Sequence, residues 1–212
     1  MIQPNIFIPI FEKNGFVTKI DMFVFEEICK KQKQWAAEGR EVIIVSVNQS
    51  RLHLQNLQYV EVLKSIIDKY GANPGVIELE LTENAFSTNM DILFDVTRRL
   101  HNMGFRLSID DFGSGYSSLN MLTDVFIDVV KIDREFFKEP SDTIRGKKII
   151  KSIIMMAKDL EIETVAEGVE TKEQVEFLRE IGCDLAQGFY YAKPMSISDF
   201  ESLLEKQAKE GL

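Results

Sequence analysis

Apolar residues recur along this chain with two alternating periods. In KIDMFVFEEICKKQKQWAAEG, residues 19–39, Met22, Phe25, Ile28, Cys29, Trp35 and Ala36 fall along one helical face. Glu27, Lys30, Lys31 and Gln34 fall on the other. EVIIVSVNQS then reads as a buried strand. The helical spacing returns near 56–70, 89–103, 143–159, 171–181 and 196–209, with a short helix beginning near Ser117. Between these segments lie the strands VIELELT (76–82), FRLSID (105–110), DVVKID (128–133), ETVAEG (163–168) and LAQGFY (185–190). Six strands separated by helices require parallel pairing, because each crossover returns the chain to the same end of the sheet.

The strand ends choose between a barrel and an open doubly wound sheet. Asn48, Glu80, Asp110, Lys131, Glu167 and Gln187 each fall near the C-terminal end of a different strand. A (β/α) barrel gathers those ends at one mouth, whereas an open sheet spreads them along a crest. The strand alternation puts Glu78, Glu80 and Thr82 on one face, and Arg106, Ser108 and Asp110 likewise, so that Glu80 and Asp110 point inward. The expected fold is therefore α/β, a modified TIM-type barrel. A closed barrel has eight strands and about 250 residues, and this chain shows six in 212.

Composition narrows the function without naming it. With 45% hydrophobic and 28% charged residues, the chain reads as a single globular domain over 1–212. Its 34 acidic and 25 basic side chains give a net charge of −9, the wrong sign for a general binder of polymeric nucleic acid or anionic membrane. No apolar run reaches the roughly 18 residues of a membrane span. MIQPNIFIPIF lacks the basic leader and cleavage site of a signal peptide. Cys29 and Cys183 stand in no CxxC or Cys/His cluster, which suits reduced thiols and a cytoplasmic setting.

The candidate chemistry lies at the barrel mouth, where Glu80, Asp110, Asp111 and Glu167 join Asn48. So many carboxylates repel one another unless cations sit among them. Oxygen-only ligands suit Mg2+ or Mn2+ rather than zinc, and adjacent aspartates can share two ions, the device used for in-line attack on phosphate esters. Lys131 on the neighbouring strand is placed to meet a phosphoryl oxygen or the attacking water. Each element also has a plainer reading. A strand-end carboxylate alone is more often solvated or a helix cap, and Lys131 could form a Schiff base. DFG at 111–113 matches the kinase magnesium motif, but its companion motifs are missing. His53 and His101 read as ordinary surface or helix residues.

The strings VNQS, ELTEN, IDDFGSGYSSL, VVKIDREF, VAEGVET and QGFYYAKPM resemble, in order and spacing, the EAL-domain family of cyclic di-GMP phosphodiesterases. The resemblance implies a modified (β/α) barrel and metal-dependent hydrolysis of cyclic di-GMP to pGpG in bacterial second-messenger signalling. It places the metal ligands on Asn48, Glu80, Asp110, Asp111 and Glu167, with two Mg2+ or Mn2+ ions per site. Lys131, Glu167 and Asp111 are the implied catalytic groups, and Gln187 and Asn48 the implied substrate contacts. The loop with Phe112, Gly113, Ser114, Gly115 and Tyr116, anchored by Glu83, resembles the segment that couples the site to homodimerisation.

The family's eponymous Glu-Ala-Leu stretch and its nearby arginine have no counterpart here. The opening residues resemble the segment just after that stretch, so the expectation is a barrel incomplete at the N-terminus, without its first two strands. Loss of one carboxylate should weaken the first metal and misplace the nucleophile, leaving weak or no activity. The alternative is a catalytically silent cyclic di-GMP receptor or protein scaffold. An upstream sensory or diguanylate-cyclase (GGDEF) module in a longer protein fits either reading.

Overall fold

A computed structural model describes residues 4–40, 43–82, 90–113, 122, 125–137 and 143–210. The strands are β1 Val45–Gln49, β2 Ile77–Thr82, β3 Arg106–Phe112, β4 Val129–Ile132, β5 Glu163–Ala166 and β6 Leu185–Ala186. The helices are α1 Pro4–Asn14, α2 Val17–Ala37, α3 Gln58–Tyr70, α4 Met90–Asn102, α5 Ile144–Asp159, α6 Lys172–Ile181 and α7 Ile197–Glu210. Their starts follow local chemistry. Thr143 caps α5 by accepting from the Gly146 N–H at 3.1 Å, and Thr171 and Gln174 form a reciprocal capping box on α6.

All six strands pair in parallel, in the order of the chain, β1-β2-β3-β4-β5-β6. A doubly wound sheet reverses its strand order at a switch point. This one never reverses, and so forms an arc of a (β/α) barrel. β1 and β6 do not pair with each other among the described residues, leaving the barrel open there.

The face assignment read from the alternation holds. Ile77, Leu79, Leu81, Leu107 and Ile109 are fully buried in an outer layer with Phe25, Cys29, Leu63, Leu93, Val96 and Leu100 from α2, α3 and α4. A second cluster, Ile132, Ile150, Ile154, Ala166, Val169 and Leu178, seats α5 and α6. Inside the barrel foot the layer is polar: Ser46 donates to Glu78 at 3.0 Å, and Arg106 lies between Glu78 and Glu163. Of these charges only Glu78 is buried, and it is tolerated because it is paired.

Two features depart from the sequence reading. The opening residues fold as α1, which Pro9 disguises in the apolar pattern. Rings of Phe7, Phe11 and Phe16 pack in series in tilted pairs at 5.6 and 5.0 Å and fasten α1 to the start of α2. β6 spans two residues rather than 185–190, because the chain turns at Gly188, whose carbonyl accepts the Tyr191 N–H. The helix expected near Ser117 lies outside the described residues.

The open side is crossed by α7. Glu201 accepts from the Trp35 indole at 2.8 Å and from Lys31 at 3.0 Å, while Glu205 pairs with Arg40 at 3.0 Å. Under this strap lies a cavity of about 690 Å3 bordered by Val45, Asn48, Gln187, Phe189 and Ile197. No helix among the described residues is long and apolar enough to cross a membrane. Cys29 and Cys183 are both free.

Candidate active site

The parallel register brings the strand ends together at one mouth. Asn48 stands opposite Glu80 on β2, and Thr82 opposite Asp110 on β3. Successive side chains of a strand point to opposite faces, so Asp110 and Asp111 cannot both face inward from a regular strand. β3 resolves this with a register shift between Ile109 and Phe112, and Asp111 takes a left-handed φ of 56°. Carboxylate oxygens of Asp110, Asp111 and Glu167 then lie within 4.8 Å of one another.

Lys131 reaches this cluster from β4. It is buried, donates to Glu80, and lies 3.3 Å from the Glu167 carboxylate. Burial alone would pull its pKa down, but the facing Glu80, Glu167 and Asp110 raise it, so the ammonium stays charged. One lysine does not neutralise the group. Burial, then the Asp110 charge, pushes Glu167 up to about 7, and burial followed by Glu80 raises Asp110. An all-oxygen cluster with surplus negative charge is a fit for a hard divalent cation.

Gln187 is fixed through its backbone, donating to the Ala166 carbonyl at 2.8 Å and accepting from Val169 N–H at 3.0 Å. It borders the same cavity as Asn48 and Glu80. Every expected ligand among the described residues therefore reaches the mouth: Asp110, Asp111 and Glu167 as one cluster, Glu80 through Lys131, and Asn48 beside Glu80. Sequence reasoning misses Asp133. It is buried, accepts the Glu135 N–H at 2.9 Å, and its charge contributes to the raised pKa of Asp110. Its position two residues after Lys131, just past the end of β4, is the signal that points to it.

Glu83, Ser114, Gly115 and Tyr116 lie outside the described residues. Phe112 belongs to β3 and is buried in the core, rather than in the loop where the motif places it. Gly113 makes the turn at φ 91°, and a Cβ there would sit 2.7 Å from the Phe136 ring. His53 is not a surface residue. It is buried, with Nε2 3.1 Å from Asp21 and its ring stacked on Tyr59 at 4.6 Å. His101 stays half-exposed, stacked on Phe126.

The EAL domain family model matches residues 1–194. This chain belongs to the EAL domain family. It is 35% identical over 204 residues to the cyclic di-GMP phosphodiesterase NbdA of Pseudomonas aeruginosa, covering 96% of this chain and 26% of NbdA. It is 34% identical over 195 residues to MucR of the same organism, a bifunctional diguanylate cyclase and cyclic di-GMP phosphodiesterase, covering 92% of this chain and 28% of MucR. The solved complex of the MucR phosphodiesterase with cyclic di-GMP superposes with a TM-score of 0.88 at 33% identity, over 94% of this chain and 81% of that one. The chain thus spans about a quarter of the length of these curated relatives. The EAL assignment accords with the barrel arc and with the acidic mouth.

Proposed function

We propose that this EAL domain hydrolyses cyclic di-GMP to pGpG with Mg2+ or Mn2+, two ions per site. The convergence of Asp110, Asp111 and Glu167 beside a buried, charged Lys131 carries this reading. Asn48, Glu80, Asp110, Asp111 and Glu167 would hold the ions, which supply Lewis acidity toward the phosphodiester and lower the pKa of a water. The chain's own groups do the rest. Lys131 donates to Glu80 and Glu167, holding two of these carboxylates in one orientation, and presents its ammonium where the attacking water would lie. Gln187, held at both backbone polar groups, and Asn48 orient the substrate across the cavity they share.

The same reading takes residues 1–212 as one EAL unit in the cytoplasm, where both thiols stay reduced. It also takes the chain as a homodimer coupled through Glu83 and residues 112–116, in line with the family resemblance. Turnover by this chain alone is expected to be weak, since Asn48 is exposed beside the open seam between β1 and β6. A ligand that is not held rigidly loses much of its orienting effect.

The test is cyclic di-GMP hydrolysis by the purified chain with each ion, read by chromatography of pGpG, with a binding titration on the same sample. Slow ion-dependent conversion, abolished by Asp110→Asn, is expected. Binding without any conversion would favour a receptor. Absence of both binding and conversion would overturn the proposal.

A further inference from the structure

Gln49 occupies a position meant for an aliphatic side chain. On β1 the inward positions are Ser46 and Asn48, while Val45, Val47 and Gln49 face the helices. Gln49 is only 2% exposed, in a layer where Val47 and Leu63 are fully apolar neighbours in the core. An amide buried there must find partners or be penalised.

Its partners form a continuous chain. Gln49 Oε1 accepts the Tyr59 hydroxyl at 2.6 Å, and Gln49 Nε2 donates to the carbonyl oxygen of Asn48 at 2.8 Å. The Tyr59 ring stacks on His53 with centroids 4.6 Å apart and planes 26° apart. His53 Nε2 lies 3.1 Å from Asp21 Oδ2, close enough for an ion pair though not aligned as a hydrogen bond. Asp21 Oδ2 also accepts the backbone N–H of Ser50 at 2.9 Å. Asp21, Gln49, His53 and Tyr59 are all buried.

Both ends of this chain grip the backbone around Asn48, at its own carbonyl and at the N–H of Ser50. An apolar pair of similar shape at 49 and 59 would fill the layer equally well, so the polar pair contributes direction rather than packing. Burial and then the Asp21 charge hold the Tyr59 phenol well above its ordinary pKa, which keeps the hydroxyl a donor.

We propose that Asp21, His53, Tyr59 and Gln49 are positioning residues that orient Asn48 toward the Glu80 side of the mouth and thereby set the affinity for the divalent ion. This rests on the reading of Asn48 as an ion ligand given above. The residues belong to α2, α3, the end of β1 and the turn after it, so the outer helical layer reaches the site through one strand end. Outer partners of metal ligands commonly change affinity by about ten- to a hundredfold when removed.

Tyr59→Phe removes one hydroxyl and keeps the ring stack. Three measurements on the whole chain decide the matter: the Asn48 side-chain amide resonances, Mn2+ affinity by calorimetry, and the melting temperature. The double variant Gln49→Leu/Tyr59→Phe serves as the packed, apolar replacement. Displaced Asn48 resonances and about tenfold weaker Mn2+ binding are expected in both variants, with the melting temperature restored in the double variant and the affinity not. Val96→Ala, in the same core but on α4, controls for loosening. Unmoved Asn48 resonances, or an affinity that follows melting temperature across all three variants, would overturn the proposal. If the unaltered chain binds no Mn2+, the proposed function fails instead, and the Asn48 resonances alone decide the positioning role.

Discussion

Asp110 and Asp111 are sequence neighbours whose carboxylate oxygens nevertheless lie within 4.8 Å of each other and of Glu167, through a register shift in β3 and a left-handed φ of 56° at Asp111. That backbone conformation costs an ordinary residue about 1–2 kcal/mol, while Asp and Asn tolerate it through short polar side chains. The bulge therefore ties the ligand's chemistry to the fold.

Asp111→Asn and Asp111→Ala separate the two. The amide keeps the left-handed turn and sheds one negative charge from a crowded cluster, so the ion-free chain should melt no lower than the original. Its Mn2+ affinity should fall by about tenfold or more. Asp111→Ala should lose the affinity and in addition about 1 kcal/mol of stability. Calorimetric titration and thermal melts check both; an alanine variant as stable as the asparagine one would contradict the strain argument.

Glu167 gives the pH dependence. Its carboxyl rises from 4.5 to about 7 in the fold, chiefly through burial and then through Asp110. Across that window the folded chain keeps a proton that the unfolded chain has released, so ion-free stability falls as pH rises from about 4.5 to 7 and levels off above. Ion binding runs the other way, strengthening with pH as the ligand deprotonates. Glu167→Gln should flatten the ion-free stability slope. A slope that persists in that variant would assign the titration elsewhere.

Much of this arrangement is legible in the sequence, for a physical reason. Strand alternation fixes faces, so the residue order alone places Glu80 and Asp110 inward and Leu79 and Ile109 outward. The strand ends of a barrel converge, so Asn48, Lys131, Glu167 and Gln187 follow. What stays hidden depends on contacts between distant segments. A bulge leaves no period in the sequence, so the route by which Asp111 joins Asp110 is invisible there. His53 reads as an ordinary surface or helix residue, and its burial is hidden because its partners, Asp21 and Tyr59, come from α2 and α3. The shortness of β6 is set by the approach of Gly188 to Val169, which no local pattern records.

Gly188 tests that approach. A Cβ there would stand 2.2 Å from the Val169 carbonyl oxygen and 2.3 Å from its nitrogen, and neither backbone atom can rotate away. Gly188→Ala must push apart the two segments that Val169 N–H and the Gln187 carbonyl hold together at 3.0 Å. A loss of about 1–3 kcal/mol is expected from such overpacking, with weaker cyclic di-GMP binding through the displaced Gln187. A melting temperature and affinity equal to the original would show that the segment relaxes freely.

Lys131 is held more tightly by the fold than a purely catalytic lysine would be. It is buried, and its ammonium serves both Glu80 and Glu167. Removing one member of a buried ionic group leaves the others uncompensated, at a cost of about 3–5 kcal/mol. Lys131→Met should therefore lose turnover and also lower the melting temperature in chelator at pH 8, where Glu167 is ionised. Two conditions should recover much of the stability: acidification toward pH 5, which protonates Glu167, and excess Mg2+, which replaces the missing positive charge. Recovery by Mg2+ without recovery of turnover would separate the lysine's charge from its action on the attacking water. A melting temperature insensitive to both conditions would mean that the lysine's charge does not offset the carboxylates, and the electrostatic account of the site would fall with it.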